Sequence, residues 1–188
     1  MRKTFSRRAR VATGATVLTA VAATATAFGT VSASAGPAAA TPAAASAASV
    51  TSRATTTSTH LTVDAAVKAA QAALDAAEKE NQRVTVAVVD RNGNTLVTLR
   101  GDGAGPQSYE SAERKAYTAV SWNAPTSELA GRLTGAPNLK DIPGTLFLAG
   151  AVPVTAKNAP VAGIGVAGAP SGDLDEKFAR AGAAALTR

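Results

Sequence analysis

The chain of 188 residues contains no cysteine, one histidine (His60), one tryptophan (Trp122) and one methionine, Met1. Without cysteine there is no disulfide, no thiolate nucleophile and no thiolate metal site. A single histidine excludes zinc sites of the His/Cys type, and a Ser-His-Asp triad would have to recruit His60 from the edge of a low-complexity segment. These absences argue against an ordinary hydrolase or zinc enzyme. Aromatic residues make up only 4% of the chain, so the core is expected to rest on alanine and valine.

Acidic residues are missing from the first 35 positions, where Arg2, Lys3, Arg7, Arg8 and Arg10 precede the apolar run Val11 to Val31. Ala33-Ser34-Ala35 then supplies the small residues that a signal peptidase requires. Residues 1–35 therefore read as a signal peptide. Its paired arginines, Arg7-Arg8, indicate twin-arginine export of a folded protein and an extracellular, secreted product. A membrane anchor is the rival reading, but threonines and glycines interrupt the run and residues 36–59 hold no stop-transfer segment. Cleavage would take five of the nineteen basic residues and none of the thirteen acidic ones, leaving a mature net charge near +1. That balance gives no basic footprint for nucleic acid.

Residues 36–59, rich in Ala, Thr, Ser and Pro, show no apolar periodicity and are expected to form a disordered linker. Order should begin at 60, giving one domain over residues 60–188. Thr62 is placed as the N-cap of a helix to about Glu80, with Val63, Ala66, Val67, Ala70, Ala73, Leu74 and Ala77 as its buried stripe. Its other face carries Asp64, Lys68, Asp75, Glu78 and Lys79. Paired carboxylates suit a hard metal ion, although a solvated helical face explains them more simply.

From Val84 to Arg100, apolar residues alternate about Asn92-Gly93, which predicts a β-hairpin with a two-residue type I′ turn. In that register Val89 faces Leu96, Val88 faces Val97 and Val86 faces Leu99. Val84, Val86, Val88, Val97 and Leu99 then form a core face, while Thr85, Ala87, Val89, Leu96, Thr98 and Arg100 meet a partner or ligand. The glycine-rich loop Gly101 to Pro106 leads to a helix capped by Ser108 and running to about Ser121, with Ala112, Ala116, Ala119 and Val120 buried. Ser111, Lys115, Thr118 and Trp122 share another face of this helix and form a candidate ligand wall. The alternative puts Trp122 in the core at the helix end and Lys115 in water; the spacing alone does not separate the two.

A short helix over Ser127 to Leu133, a strand at Leu146-Phe147-Leu148, a second hairpin (Val152 to Ala156 and Val161 to Ala167) and a Ser171-capped helix from Asp173 to about Leu186 complete the chain. The order α-β-β-α-α-β-β-β-α predicts an α+β fold with an antiparallel sheet. Gly163, Gly165 and Gly168 match the GxGxxG pattern, but Asp173, Asp175 and Glu176 open the next helix and would repel a pyrophosphate, and too little chain follows for a ribose-binding carboxylate. Close backbone packing is the better account of these glycines.

The runs VAVVDRNGNTLVTLRGDGAGPQSYESAERKAYTA (86–119), GTLFLAGAVPV (144–154) and PVAGIGVAGAPSGDLDEKFARAGAAAL (160–186) resemble the GlcG/HbpS-like family, and most closely its secreted haem-binding branch, across residues 61–188. The resemblance implies a profilin-like α+β domain assembled as a homo-oligomer, an octamer in this branch. It also implies haem and iron binding, and partnership with a membrane sensor kinase of a two-component system that responds to haem and redox stress. Thr118 matches the threonine associated with haem iron in that branch. Bottom-up, oxygen donors are most of what remains for an axial ligand, from Thr118, Tyr109 or Tyr117, with Lys115 for a propionate and Trp122 for stacking. The branch is also associated with iron held by a D-x-x-E pair, which Asp75 and Glu78 match and Glu110 and Glu113 approximate. The resulting expectation is a secreted haem- and iron-binding accessory protein rather than an enzyme. The alternative is an exported module for another planar tetrapyrrole or small molecule, with weak haem-degrading activity.

Overall fold

A computed structural model describes residues 48–187. The expected signal segment and the first part of the linker lie outside the described residues. Residues 48–60 are exposed and hold one 3-10 turn at Ser52–Ala54.

The first helix, α1 (Val63–Lys79), starts where expected, with the Thr62 hydroxyl accepting the Ala65 N–H. Strands β1 (Thr85–Asp90) and β2 (Thr95–Arg100) form the first hairpin, followed by α2 (Ser108–Trp122) and α3 (Thr126–Arg132). Strands β3 (Ala151–Ala156) and β4 (Ala159–Ala167) form the second hairpin, and α4 (Gly172–Ala184) closes the domain with Ser171 as its cap. The four strands make one antiparallel sheet in the order β2-β1-β4-β3. The α+β class and the succession of helices and hairpins are as the sequence predicts.

One expected strand does not form. Leu146-Phe147-Leu148 is extended chain outside the sheet, because the Leu146 N–H is taken by the Thr118 hydroxyl at 2.8 Å instead of by a neighbouring strand.

The first turn also differs from expectation. Only Gly93 (φ 88°) has a positive φ there, so Asp90 to Gly93 make an ordinary turn followed by a bulge, and Val89 pairs with Thr95 instead of Leu96. The type I′ geometry appears instead in the second hairpin, where Lys157 (φ 51°) and Asn158 (φ 62°) join the paired residues Ala156 and Ala159.

Both faces of the sheet are covered from within the chain. On one face Val86, Val88, Ile164 and Val166 pack against α1 and α4, with Phe178 fully buried; Val97, Leu99 and, through the bulge, Leu96 pack at its margin. The α1 stripe is rotated from the predicted one: Ala69 is buried, whereas Val63 and Val67 are 58% and 43% exposed. The other face was expected to meet a ligand or partner, yet α2 covers much of it: Ala112 packs on Ala87, and Ala116 and Val120 pack on Val89. Glycine makes this possible, because a Cβ on Gly163 or Gly165 would lie 2.1 or 2.2 Å from an α2 carbonyl oxygen. The GxGxxG glycines therefore serve close helix packing. Ser108 is the first residue of α2 and does not cap it; its buried hydroxyl donates to the Gly105 carbonyl and pairs with that of Thr85.

Candidate functional site

A groove of about 430 Å³ opens where the tip of the first hairpin, the outer face of α2 and the Pro143–Gly144 turn meet. Val89, Gly93 and Thr95 supply one side, Glu113, Arg114 and Tyr117 of α2 the floor, and Pro143 and Gly144 the other side. The three α2 residues are neighbours at helical spacing, so one face presents a carboxylate, a guanidinium and a phenol together.

The groove is shaped around Tyr117. A Cβ on Gly93 would lie 2.9 Å from the ring and one on Gly144 3.6 Å from it, and both glycines take the left-handed conformation. Asp90 holds the hairpin side in place, accepting the Asn92 and Asn94 backbone N–H groups at 2.8 Å and the Asn94 side chain at 3.2 Å. Burial alone would raise the Asp90 carboxyl, but these hydrogen bonds outweigh it and hold the group below its ordinary value. Arg114 holds the opposite side by donating to the Thr145 carbonyl at 3.0 Å, and Glu113 accepts the Thr98 hydroxyl at 3.1 Å.

Ser111, Lys115, Thr118 and Trp122 do not form the open ligand wall predicted from their spacing. Thr118 is fully buried, its hydroxyl donating to the Arg114 carbonyl at 2.7 Å and accepting from Leu146. Lys115 reaches past the end of β4 to Asp175 on α4 (2.9 Å) and to the Val166 carbonyl (3.1 Å). Burial pushes the Asp175 carboxyl up, against the pull of the Lys115 ammonium and an N–H from Ala169. Trp122 meets Phe147 edge-on at 5.1 Å, near Leu129 and Leu133, as the alternative reading had it. Tyr109 is exposed in the first turn of α2, two turns from the groove.

The two D-x-x-E candidates stand apart from the groove floor, except for Glu113. Asp75 is exposed and accepts the Gln71 side chain at 2.6 Å, while Glu78 lines a separate small cleft with Arg83 and Asp102. Among the described residues no three His, Cys, Asp or Glu side chains come together to hold a metal ion. The sequence reading overlooked Arg114, Asp90 and Asp175. The signal for Arg114 was its place three residues before Tyr117, on the face opposite the alanine stripe.

The family model described as "Haem degrading protein HbpS-like" matches residues 61–184. The chain belongs to the HbpS-like family. A double glutamate-to-aspartate variant of HbpS from Streptomyces reticuli is 76% identical, covering 77% of this chain and 99% of that one with a TM-score of 0.75. A second HbpS structure is 78% identical over 74% of this chain and 99% of its own, with a TM-score of 0.73. A complex of PduOC with haem is 26% identical over 68% of this chain and 95% of its own, with a TM-score of 0.62. No curated protein gives a significant match. The HbpS-like match spans α1 to α4, and thus every residue of the groove.

Proposed function

We propose that the protein binds haem in the groove between the first hairpin, α2 and the Pro143–Gly144 turn. The observation that carries this reading is the pairing of Arg114 with Tyr117 on the floor of a part-apolar groove, in a member of a haem-related family. The residues fit the group. Val89, Pro143 and the Tyr117 ring offer apolar surface to a macrocycle, and Arg114 offers a guanidinium to a propionate. No groove residue is a histidine, cysteine or methionine, so binding of the exchangeable kind, suited to sensing or scavenging, is favoured over fixed redox catalysis. Absorbance titration with haemin tests it: a Soret shift that saturates at a defined ratio supports the reading, and an unsaturable change overturns it.

In the fuller reading the protein is exported by the twin-arginine route, cleaved near Gly36 and assembled as a homo-octamer. It binds iron at Asp75 and Glu78 and acts as an extracellular accessory to a membrane sensor kinase. The leader sequence and the family resemblance support export and signalling; exposed Val63 and Val67, one turn apart on α1, support self-association. Mass spectrometry of the secreted chain tests the cleavage, and light scattering tests the assembly. A monomer at micromolar concentration would remove the octamer.

The family description favours one second reading, degradation of the bound haem. Incubation with haemin, a reductant and dioxygen separates the two. Recovery of intact haem supports a binding protein, and progressive loss of the Soret band with product release supports degradation.

A further inference from the structure

We infer that the phenol of Tyr117, and not the hydroxyl of Thr118, is the oxygen this chain presents to the haem iron. The inference rests on the haem reading above and names the ligand within that groove.

The two residues are adjacent in α2, yet their surroundings are opposite. Thr118 has no exposed surface, and its oxygen already donates one hydrogen bond and accepts another. Reaching it would require the Leu146 N–H to lose its partner and the 145–147 segment to leave the helix. Tyr117 is half-buried on the groove floor. Among the described residues no hydrogen bond engages its hydroxyl, and every buried polar side-chain atom has a partner. The Tyr117 oxygen is therefore both unbonded and open to solvent.

The ring is also held for the task. Gly93 and Gly144 flank it so closely that a side chain at Gly93 would displace it, so the phenol is fixed before any ligand arrives. The other candidates fail on position. Tyr109 lies on an exposed turn away from the groove, and His60 is exposed and hydrogen-bonded to Ser58 at 2.6 Å. Glu113 is the remaining oxygen donor on the floor, but one of its oxygens already holds Thr98. Coordination by Tyr117 would form one iron–oxygen bond and release the phenol proton to solvent, with no change in oxidation state. A phenolate is an established protein ligand of haem iron.

The experiment is resonance Raman and absorbance spectroscopy of the ferric haemin complex, for wild type and for Tyr117→Phe, Thr118→Val, Glu113→Gln and Tyr109→Phe. Wild type should show tyrosinate vibrations, a readout that needs no variant to fold. Tyr117→Phe, which keeps the ring between the two glycines, should abolish them and weaken haemin by about tenfold or more. The other three should retain them. In the haem-free protein, Tyr117 should be nitrated readily and haemin should protect it, whereas Tyr109 should react equally with and without haemin. A saturable Soret shift in wild type without tyrosinate vibrations, or with vibrations that survive Tyr117→Phe, overturns the ligand assignment and leaves haem binding standing. No saturable shift in wild type overturns both.

Discussion

The Thr118 hydroxyl accepts the Leu146 N–H at 2.8 Å, joining the last turns of α2 to the segment that carries Gly144 into the groove. Thr118 therefore positions one side of the groove from beneath. Thr118→Val keeps the volume but leaves that N–H without a partner, a loss of about 1–3 kcal/mol. The melting temperature should fall, and hydrogen exchange at Leu146 should quicken more than in β1. Unchanged exchange at Leu146 would remove the latch.

Lys115 and Asp175 link α2 to α4, on opposite faces of the sheet, through a buried ion pair. Lys115→Met should cost about 3–5 kcal/mol, because a buried carboxylate is left unpaired, and adding Asp175→Leu should recover most of it. The pH dependence has a definite sign. The Asp175 carboxyl is raised in the folded state, so its contribution is retained at acid pH and lost as pH rises through the raised value. The Lys115→Met deficit, measured by denaturant unfolding, should accordingly shrink toward acid pH. A deficit that grows on acidification would contradict this.

Asp90 behaves in the opposite sense. Its folded-state value is lowered, so its stabilisation is present above the ordinary carboxylate range, near ~3.9, and fades as pH falls through the lowered value. Asp90→Ala should cost about 1–3 kcal/mol at neutral pH and flatten the acid limb of the stability profile. The same variant should weaken haemin, since Gly93 and Thr95 then lose their anchor. Normal haemin affinity in a folded Asp90→Ala protein would show that the hairpin tip is not a wall of the site.

The fold was legible because its signals are local. Thr62 and Ser171 cap their helices, alternation marks β1 and β4, and Gly163 and Gly165 announce a close helix contact. What failed needed tertiary information. Type I′ geometry requires two positive φ angles, and Asn92 stays out of that region because Asp90 captures the N–H groups around it. Leu146-Phe147-Leu148 has strand composition, but whether a strand pairs depends on a neighbour, and Thr118 claims its N–H first. The expected wall of Ser111, Lys115, Thr118 and Trp122 assumed that helix spacing fixes exposure. Lys115 shows otherwise, since the chain folds a carboxylate from 60 residues away onto its ammonium. Arg114 and Tyr117 belonged to the same helix and the same argument, but hydroxyl-and-indole periodicity drew attention to the wrong face.

The central claim, that haem occupies the groove floored by Arg114 and Tyr117, is tested most directly by haemin titration of wild type beside Arg114→Gln. Wild type should give a saturating Soret shift, and Arg114→Gln should bind about tenfold more weakly with a fully cooperative melt. A shift that never saturates, or equal affinity in the two proteins, would contradict it.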